Sequence, residues 1–250
     1  MIKVLVNGCN GRMGQEVVAQ IKRTDDFITV AGFDKEINYT STFPIYNNID
    51  NINELVDVII DFSMPEATLK ILEYASTRNI PVVIATTGFS DDQMEKVKTF
   101  SNIIPIFKSA NMSYEVNVMS KMCAIVSKLL SDSDIEIIEE HHSNKVDAPS
   151  GTALLLADSI NDALNNELYY EYNRHSKREK RNKKEIGMHS IRGGTTVGKH
   201  TVMFFGDNES FEITHNVSSR SVFAKGAVKA AEFITTKKPG LYSMDDLIQI

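Results

Sequence analysis

The order of apolar and polar positions divides the chain into two parts. In the first part, short continuous apolar runs alternate with stretches in which apolar residues recur at helical spacing. The apolar runs predict strands at 2–6, 27–33, 56–63, 80–88 and 102–111, and the stretches between them predict helices at 14–23, 65–79 and 90–100. Continuous apolar strands separated by helices are typical of a parallel sheet covered on both faces. Residues 1 to about 112 are therefore predicted to form one doubly wound α/β domain of the dinucleotide-binding type.

The second part follows a different pattern. It predicts a long helix at 113–132, a strand at 134–140 and an apolar helix at 150–164. Three strand-like segments with alternating apolar positions and glycine punctuation follow at 188–193, 198–206 and 210–218. This order predicts a smaller α+β domain with antiparallel strands. Because a sheet with one apolar face packs readily against another, we expect this part to carry oligomerisation as well as substrate binding.

Composition limits the class of protein. The chain has 250 residues, of which 42% are hydrophobic and 24% charged, as is typical of a soluble globular protein with room for two domains. No apolar run approaches the roughly 20 residues of a membrane-spanning helix. The first residues, MIKVLVNGCN, form a strand and a glycine turn rather than a signal peptide. These features predict a cytoplasmic protein that does not bind membranes.

Charge and cysteine spacing exclude further classes. The net charge of -6 argues against general binding of nucleic acid. The basic segment 174–185 is predicted to be a solvated loop, because runs of like charge usually remain in water. Cys9 and Cys123 show neither disulfide nor zinc-ligand spacing, so we expect no disulfide framework and no metal site.

The first candidate motif is the turn NGCNGRMG after the first predicted strand. Gly8, Gly11 and Gly14 are spaced three apart before a helix, where glycine permits a tight turn and backbone amides approach a pyrophosphate. Asp34 ends the second predicted strand, where an acid can hydrogen-bond the ribose of NAD. Lys35 beside it can attract the 2′-phosphate of NADP, so the pair suggests tolerance of both cofactors. The alternatives are a structural glycine turn and a charged surface turn.

Two further strand ends carry small and polar residues. The segments 84–89 and 108–113 each end an apolar strand, and ligands of open α/β sheets bind beyond the carboxyl ends of the strands. Both segments are therefore predicted to line a nicotinamide site. Gly88 and Asn111, taken singly, are equally compatible with simple turns.

The densest group of reactive residues lies in EEHHSNKVDAPSGTALLLAD at 139–158. Ser150 is a suitable N-cap, and Gly151 and Thr152 begin a helix, whose amino end favours anions. Because Lys145 is close in sequence, this helix start is predicted to hold a substrate carboxylate. His141 precedes Lys145 by four residues, and the two form a candidate proton-transfer pair.

The histidine pair has two other interpretations. A lone histidine at a strand end is often structural, and EEHH is also a candidate set of metal ligands. The metal site is disfavoured because adjacent strand residues such as His141 and His142 point to opposite faces, and no third ligand is spaced to complete it. The pattern alone therefore predicts a structural role for His142.

Several of these motifs together resemble one family. The segments NGCNGRMG, DFSMPEATL, ATTGF, SANMS, EEHHSNKVDAPSGTA, HTVMFF and FEITHNVSSR are similar, in this order, to 4-hydroxy-tetrahydrodipicolinate reductase, the dihydrodipicolinate reductase of lysine and diaminopimelate synthesis. The resemblance implies a Rossmann-like domain of residues 1–114 with 221–250, and a substrate domain at 115–220 whose mixed sheet builds a homotetramer. It also implies hydride transfer from NADH or NADPH to a cyclic dicarboxylate imine.

The resemblance further implies roles for single residues. His141 matches the family's catalytic acid/base and Lys145 its proton donor, whereas His142, Gly151 and Thr152 match substrate contacts. The family's cofactor loops match Gly8, Cys9, Asn10, Gly11, Arg12, Met13, Asp34, Lys35, Ala85, Thr86, Thr87, Ser109, Ala110, Asn111 and Met112.

Two residues, Ala85 and Glu115, stand where the family usually has glycine. Two other functions remain open at this point. One is another NAD(P)-dependent dehydrogenase of amino-acid metabolism. The other is a nucleotide-sensing regulatory or scaffold protein, although no helix-turn-helix or zinc module is evident in the sequence.

Overall fold

The structure is a computed structural model that describes residues 1–37 and 41–248. The chain divides into two compact units, one formed by Met1–Tyr114 with the segment from Arg220 onward, and the other by Glu115–Ser219. Each unit contains its own sheet. The last two residues of the predicted range 221–250 lie outside the described residues.

The strands and helices follow one another in this order: β1 (Ile2–Asn7), α1 (Arg12–Lys22), β2 (Phe27–Phe33), β3 (Ile45–Tyr46), a 3₁₀ turn (Ile49–Asn51), β4 (Val58–Asp61), α2 (Pro65–Arg78), β5 (Val82–Ile84), α3 (Asp91–Ser101), β6 (Pro105–Lys108), α4 (Tyr114–Leu129), β7 (Asp134–His141), α5 (Gly151–Ala163), β8 (Tyr169–Glu171), β9 (Glu185–Arg192), β10 (Gly198–Phe205), β11 (Ser210–Val217), α6 (Ser221–Ile234), β12 (Gly240–Tyr242) and α7 (Met244–Leu247).

The sheet of the first unit has seven strands in the order β12-β6-β5-β4-β1-β2-β3. All of its described strand pairs are parallel, so the predicted doubly wound α/β arrangement is confirmed. The strand order reverses at β1, which has β2 on one side and β4 on the other. Ligands of open α/β sheets bind at such a reversal point, beyond the carboxyl ends of the strands.

Helices cover both faces of this sheet. On one face, Leu5 and Ile59 pack with Ile71 and Leu72 of α2 in a fully buried cluster. On the other face α6 packs against α1, β4, β5 and β6. The rings of Phe107 in β6 and Phe233 in α6 meet edge to face, with centroids 6.1 Å apart. Complete burial of side chains of this size stabilises the fold by roughly 1.5 to 3 kcal/mol each.

The sheet of the second unit has five strands in the order β11-β10-β7-β9-β8. β10 is antiparallel to β7 and β11, whereas β9 is parallel to β7 and β8. The expectation of antiparallel strands at 188–193 is therefore wrong for β9. The chain runs from β7 through α5 to β8 and then through the basic segment to β9, so each of these strands is reached by a crossover connection, which makes strands parallel. The mixed sheet implied by the resemblance is confirmed.

The two faces of this second sheet differ. α4 and α5 both pack on one face, where Cys123 of α4 and Leu156 of α5 are buried with Ile137 and Val202. The opposite face, which we call the open sheet face, carries Ile138, Thr201, Met203 and Phe205. Phe205 is 40% exposed. Because both helices of this unit lie on the other side, neither of them covers the open sheet face.

The basic segment 174–185 is bound to the second sheet by ion pairs. The Arg181 guanidinium contacts Glu136 at 2.9 Å and Asp134 at 3.1 Å, and it donates to three backbone carbonyls. Only 17% of the Arg181 side chain is exposed. A Cβ at Gly187 would lie 1.7 Å from Oε2 of Glu136, so glycine there leaves the room that this carboxylate needs. The prediction of a solvated loop is therefore wrong for Arg181.

Candidate active site

A cavity of about 450 Å³ lies in the first unit at the reversal point between β1 and β4. It is lined by Asn7, Gly8, Gly11, Phe33, Asp34, Lys35, Asn47, Phe62, Ser63, Met64, Glu66, Ala67 and Lys70. Gly8, Gly11, Asp34 and Lys35 are thus brought together, as predicted from their order after β1 and β2.

Close backbone contacts require glycine at two positions of the turn after β1. Gly8 has φ +76, and a Cβ there would lie 2.6 Å from the Phe62 carbonyl oxygen. A Cβ at Gly14 would lie 2.0 Å from the Gly8 carbonyl oxygen. Gly11 is the N-cap of α1. Because glycine has no side chain, it cannot accept hydrogen bonds from the first amides of this helix as Ser or Asp would. The first amides of α1 therefore fit an anion such as a pyrophosphate.

Asp34 is fastened to the glycine turn. Its Oδ2 accepts a hydrogen bond from the Asn10 amide at 2.8 Å, and its Oδ1 accepts one from the Lys35 amide at 2.7 Å. The Asn10 side chain donates to the Glu36 carbonyl at 2.7 Å. Because an ionised carboxylate has about four lone-pair sites, Asp34 retains capacity for a ligand hydroxyl.

Some residues of the predicted cofactor set face the interior. Cys9 is buried, and a Cβ on Gly32 would lie 2.5 Å from its Sγ. Burial raises the pKa of the Cys9 thiol to about 12. Neither Cys9 nor Arg12 nor Met13 lines the cavity described above. Cys9 therefore packs the turn against β2 rather than presenting its side chain to a ligand.

The three residues of the loop 85–87 differ in their exposure to solvent. Thr86 is buried, and its hydroxyl donates to Oδ2 of Asp61 at 2.9 Å. Thr87 is exposed and Ala85 half-buried. A cofactor in contact with this loop would meet its backbone and Thr87, not the Thr86 hydroxyl.

The loop 109–112 is a hydrogen-bonded turn after β6. The Ser109 hydroxyl donates to the Asn111 carbonyl at 2.8 Å, and Oδ1 of Asn111 accepts from the Ser113 amide at 2.8 Å. Met112 is buried, and a Cβ at Gly226 would lie 1.7 Å from its carbonyl oxygen. Ala110 is exposed. The turn interpretation of Asn111 thus has direct structural support.

The second unit places a buried carboxylate beside the predicted catalytic histidine. Nδ1 of His141 lies 2.5 Å from Oε2 of Glu139. Arg192 donates to both oxygens of this carboxylate, at 2.8 and 2.6 Å, and the Ser150 amide donates to Oε1 at 3.2 Å. Burial raises the pKa of Glu139, but hydrogen bonds from Arg192, Ser190 and His141 outweigh it, and the pKa is lowered to about 2.

His141 has a second histidine as its neighbour. The rings of His141 and His200 are arranged edge to face with centroids 5.2 Å apart. Burial lowers the pKa of both rings, and for His200 the nearby His141 helps to lower it to about 4. Nε2 of His200 lies 2.9 Å from the Ser150 hydroxyl. His200 is therefore neutral near pH 7 and linked to the start of α5.

Lys145 is held by an acid of its own loop. Its ammonium donates to both oxygens of Asp147, at 2.8 and 2.9 Å, rather than to His141. Its charge nevertheless contributes to the lowered pKa of His141 after burial, which is the largest cause. The predicted pair of His141 and Lys145 is therefore coupled by charge and not by a direct hydrogen bond. His142 directly follows β7, and its Nδ1 is buried and lacks a partner among the described residues.

Ser150 caps the start of α5, as the sequence predicted. The Ser150 hydroxyl accepts a hydrogen bond from the Ala153 amide at 3.2 Å, as an N-cap does. Gly151 is exposed as the first residue of α5, and Thr152 follows it half-buried. His141, His142, Lys145, Gly151 and Thr152 are thus gathered around the end of β7 and the start of α5.

The described residues contain neither a cluster of metal ligands nor a membrane-spanning helix. Residues 1–37 and 41–248 hold no group of three or more histidine, cysteine, aspartate or glutamate side chains arranged to bind a metal ion. Within the same residues, no helix combines the length and apolar character needed to cross a membrane.

The sequence interpretation missed several residues of both sites. Glu139 lies two residues before His141, and the two-residue period of a strand places both side chains on one face. The contact between them could therefore have been predicted from the sequence. Arg192 and His200 come from β9 and β10 and carry no local signal. In the first unit Phe62 and Ser63 follow β4, and the strand-end argument applied to β5 and β6 would have found them.

Comparison with known proteins adds family relationships. The family model described as dihydrodipicolinate reductase, N-terminus, matches residues 2–112, and the model for the C-terminus matches 115–248. A 4-hydroxy-tetrahydrodipicolinate reductase of Caldanaerobacter subterraneus is 47% identical, with 100% of this chain and 99% of the relative covered. One of Clostridium tetani is 45% identical, with 99% and 97% covered.

Solved structures share the fold. A dipicolinate-bound dihydrodipicolinate reductase from Paenisporosarcina has a TM-score of 0.84 at 23% identity, with 99% of this chain and 100% of that chain covered. A diaminopimelate dehydrogenase of C. glutamicum has a TM-score of 0.59 at 13% identity, with 97% and 92% covered. At these identities the likeness concerns the fold alone. The two family models, in order along nearly the whole chain, show that this protein belongs to the dihydrodipicolinate reductase family.

Proposed function

We propose that this protein reduces 4-hydroxy-tetrahydrodipicolinate, by way of dihydrodipicolinate, to tetrahydrodipicolinate in lysine and diaminopimelate biosynthesis. The observation that carries the proposal is the match of both halves of the reductase family in order along the chain. Relatives that are 47% and 44% identical over their full length bear the name of this reductase. Family membership implies a nicotinamide cofactor, and NADH and NADPH are both proposed as hydride donors.

The first unit is proposed as the dinucleotide-binding domain. Close backbone approach at Gly8 and Gly14, and a helix start without a side-chain cap, support pyrophosphate binding at the glycine turn. Asp34 would accept from a ribose hydroxyl. Lys35 and Lys70 line the same cavity and would contact a 2′-phosphate, which supports use of both cofactors.

The nicotinamide end of the cofactor is assigned to the loops after β5 and β6. We propose contacts from Ala85, Thr86 and Thr87, and from Ser109, Ala110, Asn111 and Met112. Because the Thr86 hydroxyl and Oδ1 of Asn111 are engaged within the protein, these loops would contact the cofactor largely through their backbone. The bound cofactor supplies the hydride.

The second unit is proposed as the substrate domain. A cyclic dicarboxylate needs cations and amide donors, and the start of α5 supplies Gly151 and Thr152 beside the ammonium of Lys145. His142 would add a ring N–H donor from the end of β7. The Ser150 contacts with His200 and Glu139 fix the position of this helix start.

Proton transfer is assigned to His141 and Lys145. Hydride addition leaves negative charge on the substrate ring, so a proton must follow. With Nδ1 of His141 held by Glu139, Nε2 is the nitrogen left to exchange protons with substrate, and Glu139 stabilises the imidazolium form. A Cβ at Gly198 would lie 3.1 Å from Nε2, so glycine there keeps this nitrogen uncrowded. Lys145 would supply a second proton source and orient a carboxylate.

We further propose a homotetramer that acts in the cytoplasm. The open sheet face supports the assembly, because Ile138, Met203 and Phe205 give it apolar surface that neither α4 nor α5 covers. A second copy of the same face would bury it. Sedimentation velocity of the protein, compared with a Phe205→Lys variant, tests this assignment: a variant that sediments like wild type would contradict it.

One assay separates the three candidate functions. Oxidation of NADH or NADPH is followed in the presence of freshly generated 4-hydroxy-tetrahydrodipicolinate and, separately, of other carbonyl substrates. Turnover with the first substrate supports the reductase. Turnover only with the others would indicate a different dehydrogenase, and cofactor binding without any turnover would indicate a nucleotide sensor.

A further inference from the structure

A buried carboxylate lies at the centre of the strand reversal in the first unit. Asp61 ends β4 and is 0% exposed. Its Oδ1 accepts hydrogen bonds from Asn7 Nδ2 at 2.7 Å and from the Ser63 hydroxyl and amide at 2.5 and 3.2 Å. Its Oδ2 accepts from the Thr68 and Thr86 hydroxyls at 2.5 and 2.9 Å. We call these five residues the Asp61 network.

The Asp61 network contains neutral donors and no cation. Within the described residues, no lysine, arginine or histidine forms an ion pair with Asp61. Burial raises the pKa of the Asp61 carboxyl, and hydrogen bonds from Ser63, Thr68, Thr86 and Asn7 oppose that effect. All five contacts place a hydrogen-bonding group on the carboxyl oxygens, and two of them, the Asn7 side-chain amide and the Ser63 backbone N–H, can only donate. An ionised group without such donors is rarely buried.

The network connects several elements that border the cavity. Asn7 ends β1 and pairs across the sheet with Asp61 of β4. Asn7 and Ser63 line the cavity that contains the glycine turn. Thr86 follows β5, and its hydroxyl also accepts from the Ser63 amide at 3.1 Å. Thr68 belongs to α2 and is itself fully buried. One carboxylate therefore fixes three neighbouring strand ends and the first turns of α2.

We propose that Asp61 is a positioning residue for the nicotinamide cofactor, which holds the loops after β1, β4 and β5 at the separation that the bound cofactor requires. This proposal rests on the proposed function. Asp61 itself is buried beneath those loops and acts through Ser63 and Thr86. Loosening the network should therefore weaken cofactor binding while binding of the dicarboxylate, assigned to the second unit, stays unchanged.

The decisive comparison uses Thr68, because its side chain touches Asp61 but does not line the cavity. Thr68→Val removes the hydroxyl and keeps the shape, whereas Thr68→Ser keeps the hydroxyl. The matched control is Thr77→Val in the same helix, whose hydroxyl donates to the Tyr74 carbonyl at 2.9 Å and is remote from Asp61. NADH binding is measured by titration of the NADH fluorescence. The protein has no tryptophan, so tryptophan emission does not contribute to the signal.

We expect Thr68→Val to raise the Kd for NADH on the order of tenfold, as for loss of a hydrogen bond to a charged group. Thr68→Ser and Thr77→Val should bind within about twofold of wild type, and the substrate KM should not change. Wild-type Kd in Thr68→Val together with a lowered Tm would overturn the proposal, since the network would then only stabilise the fold. Equal losses in Thr68→Val and Thr68→Ser would also overturn it.

A second variant acts on Asp61 directly. Asp61→Asn replaces one of the two accepting oxygens with an amide N–H, so the contacts on that oxygen must be rearranged or lost, and we expect a larger loss of NADH affinity than in Thr68→Val. Folded Asp61→Asn with wild-type Kd would contradict the proposal, and if this variant does not fold, the Thr68 comparison decides alone. Failure of the reductase assignment is seen separately, as wild-type protein that binds NADH without turning over the dicarboxylate.

Discussion

Nδ1 of His141 and Oε2 of Glu139 lie 2.5 Å apart on the same face of β7. The same carboxylate contacts Arg192, which lies opposite His141 in the neighbouring β9, and the backbone amide of Ser150. One buried acid thus fixes the orientation of the histidine ring and the position of the α5 start together.

Glu139→Gln should lower kcat for the dicarboxylate on the order of tenfold to a hundredfold. The amide can still contact His141, but it cannot stabilise a positive imidazole ring during proton transfer. Steady-state kinetics at saturating cofactor measure the change. Glu140→Gln is the control, because Glu140 is the next residue of β7 and pairs with Lys199 at 2.9 Å. Equal effects of the two substitutions would count against the orienting role of Glu139.

His141→Gln and Lys145→Ala should each lower kcat by about a hundredfold or more, because a proton donor acts mainly in the transition state. Thr152→Val keeps the side-chain shape and should mainly raise the KM for the dicarboxylate. Cofactor affinity should remain near wild type in all three variants. If both His141→Gln and Lys145→Ala kept near-normal kcat, the segment 139–158 would be only a structural helix start.

Replacement of His200 should change the pH dependence of stability. Burial, with a contribution from His141, lowers the pKa of His200 to about 4 from the ordinary 6.5. Between those values the unfolded chain takes up a proton that the folded protein does not, so the free energy of unfolding falls as the pH falls. Glu139, whose pKa is lowered to about 2 from 4.5, contributes only at lower pH.

His200→Gln should therefore lose less stability than wild type between pH 7 and pH 5, by on the order of 1 to 2 kcal/mol. Urea unfolding at the two pH values gives the difference directly. His175→Gln, which removes an exposed histidine of the basic segment, serves as the control. Parallel slopes for wild type and His200→Gln would show that His200 is not protonated differently in the two states.

Lys35→Ala should weaken binding of NADPH more than binding of NADH, by on the order of 1 to 3 kcal/mol for a charge-assisted contact. Lys35 and Lys70 both line the cavity, whereas Arg12 of the glycine turn does not. The KM values for both cofactors are compared in Lys35→Ala, Lys70→Ala and Arg12→Ala. Equal losses for NADH and NADPH in Lys35→Ala would exclude a contact with the 2′-phosphate.

Gly187→Ala should destabilise the protein by about 1 to 3 kcal/mol, because the new methyl group displaces Glu136 from its ion pair with Arg181. Gly193→Ala is the matched control, since no atom of the described residues lies within 4 Å of its Cβ position. Thermal unfolding of both variants gives the comparison. A Tm for Gly187→Ala as high as that of Gly193→Ala would mean that Glu136 moves aside without cost.

The elements that were predicted well are those with a local signal. The continuous apolar strands β1 and β4 and the capped helix α5 can each be recognised from a short run of consecutive residues. β3, β8 and β12 were missed because they have only two or three residues and, unlike β5, do not lie within a continuous apolar run. The parallel pairing of β9 with β7 was missed because it depends on the path of the chain through α5, β8 and the basic segment, and not on the alternation within 188–193.

Among the residues of the two candidate sites, too, those with a local sequence signal were predicted and those that depend on distant contacts were not. The glycine turn was predictable because Gly8, Gly11 and Gly14 are regularly spaced directly after a strand, although the contact that requires Gly8 is with Phe62, which is distant in sequence. Arg192 and Asp61 were missed because their roles arise only when strands distant in sequence become neighbours. The segment 84–89 was predicted to line a nicotinamide site from its position at a strand end, but the sequence does not show that the Thr86 hydroxyl donates to Asp61.

The first unit is built from two chain segments that are separated in sequence by the second unit, and this order affects how the chain folds during synthesis. The second unit is one continuous segment, Glu115–Ser219, whereas α6 and β12 of the first unit are made last. On the ribosome the second unit can therefore fold while β4, β5 and β6 still lack the helix that covers one of their faces. Until α6 emerges, that apolar face is exposed to aggregation, so translation that stops shortly after Ser219 would leave a chain with one finished unit and one that needs a chaperone.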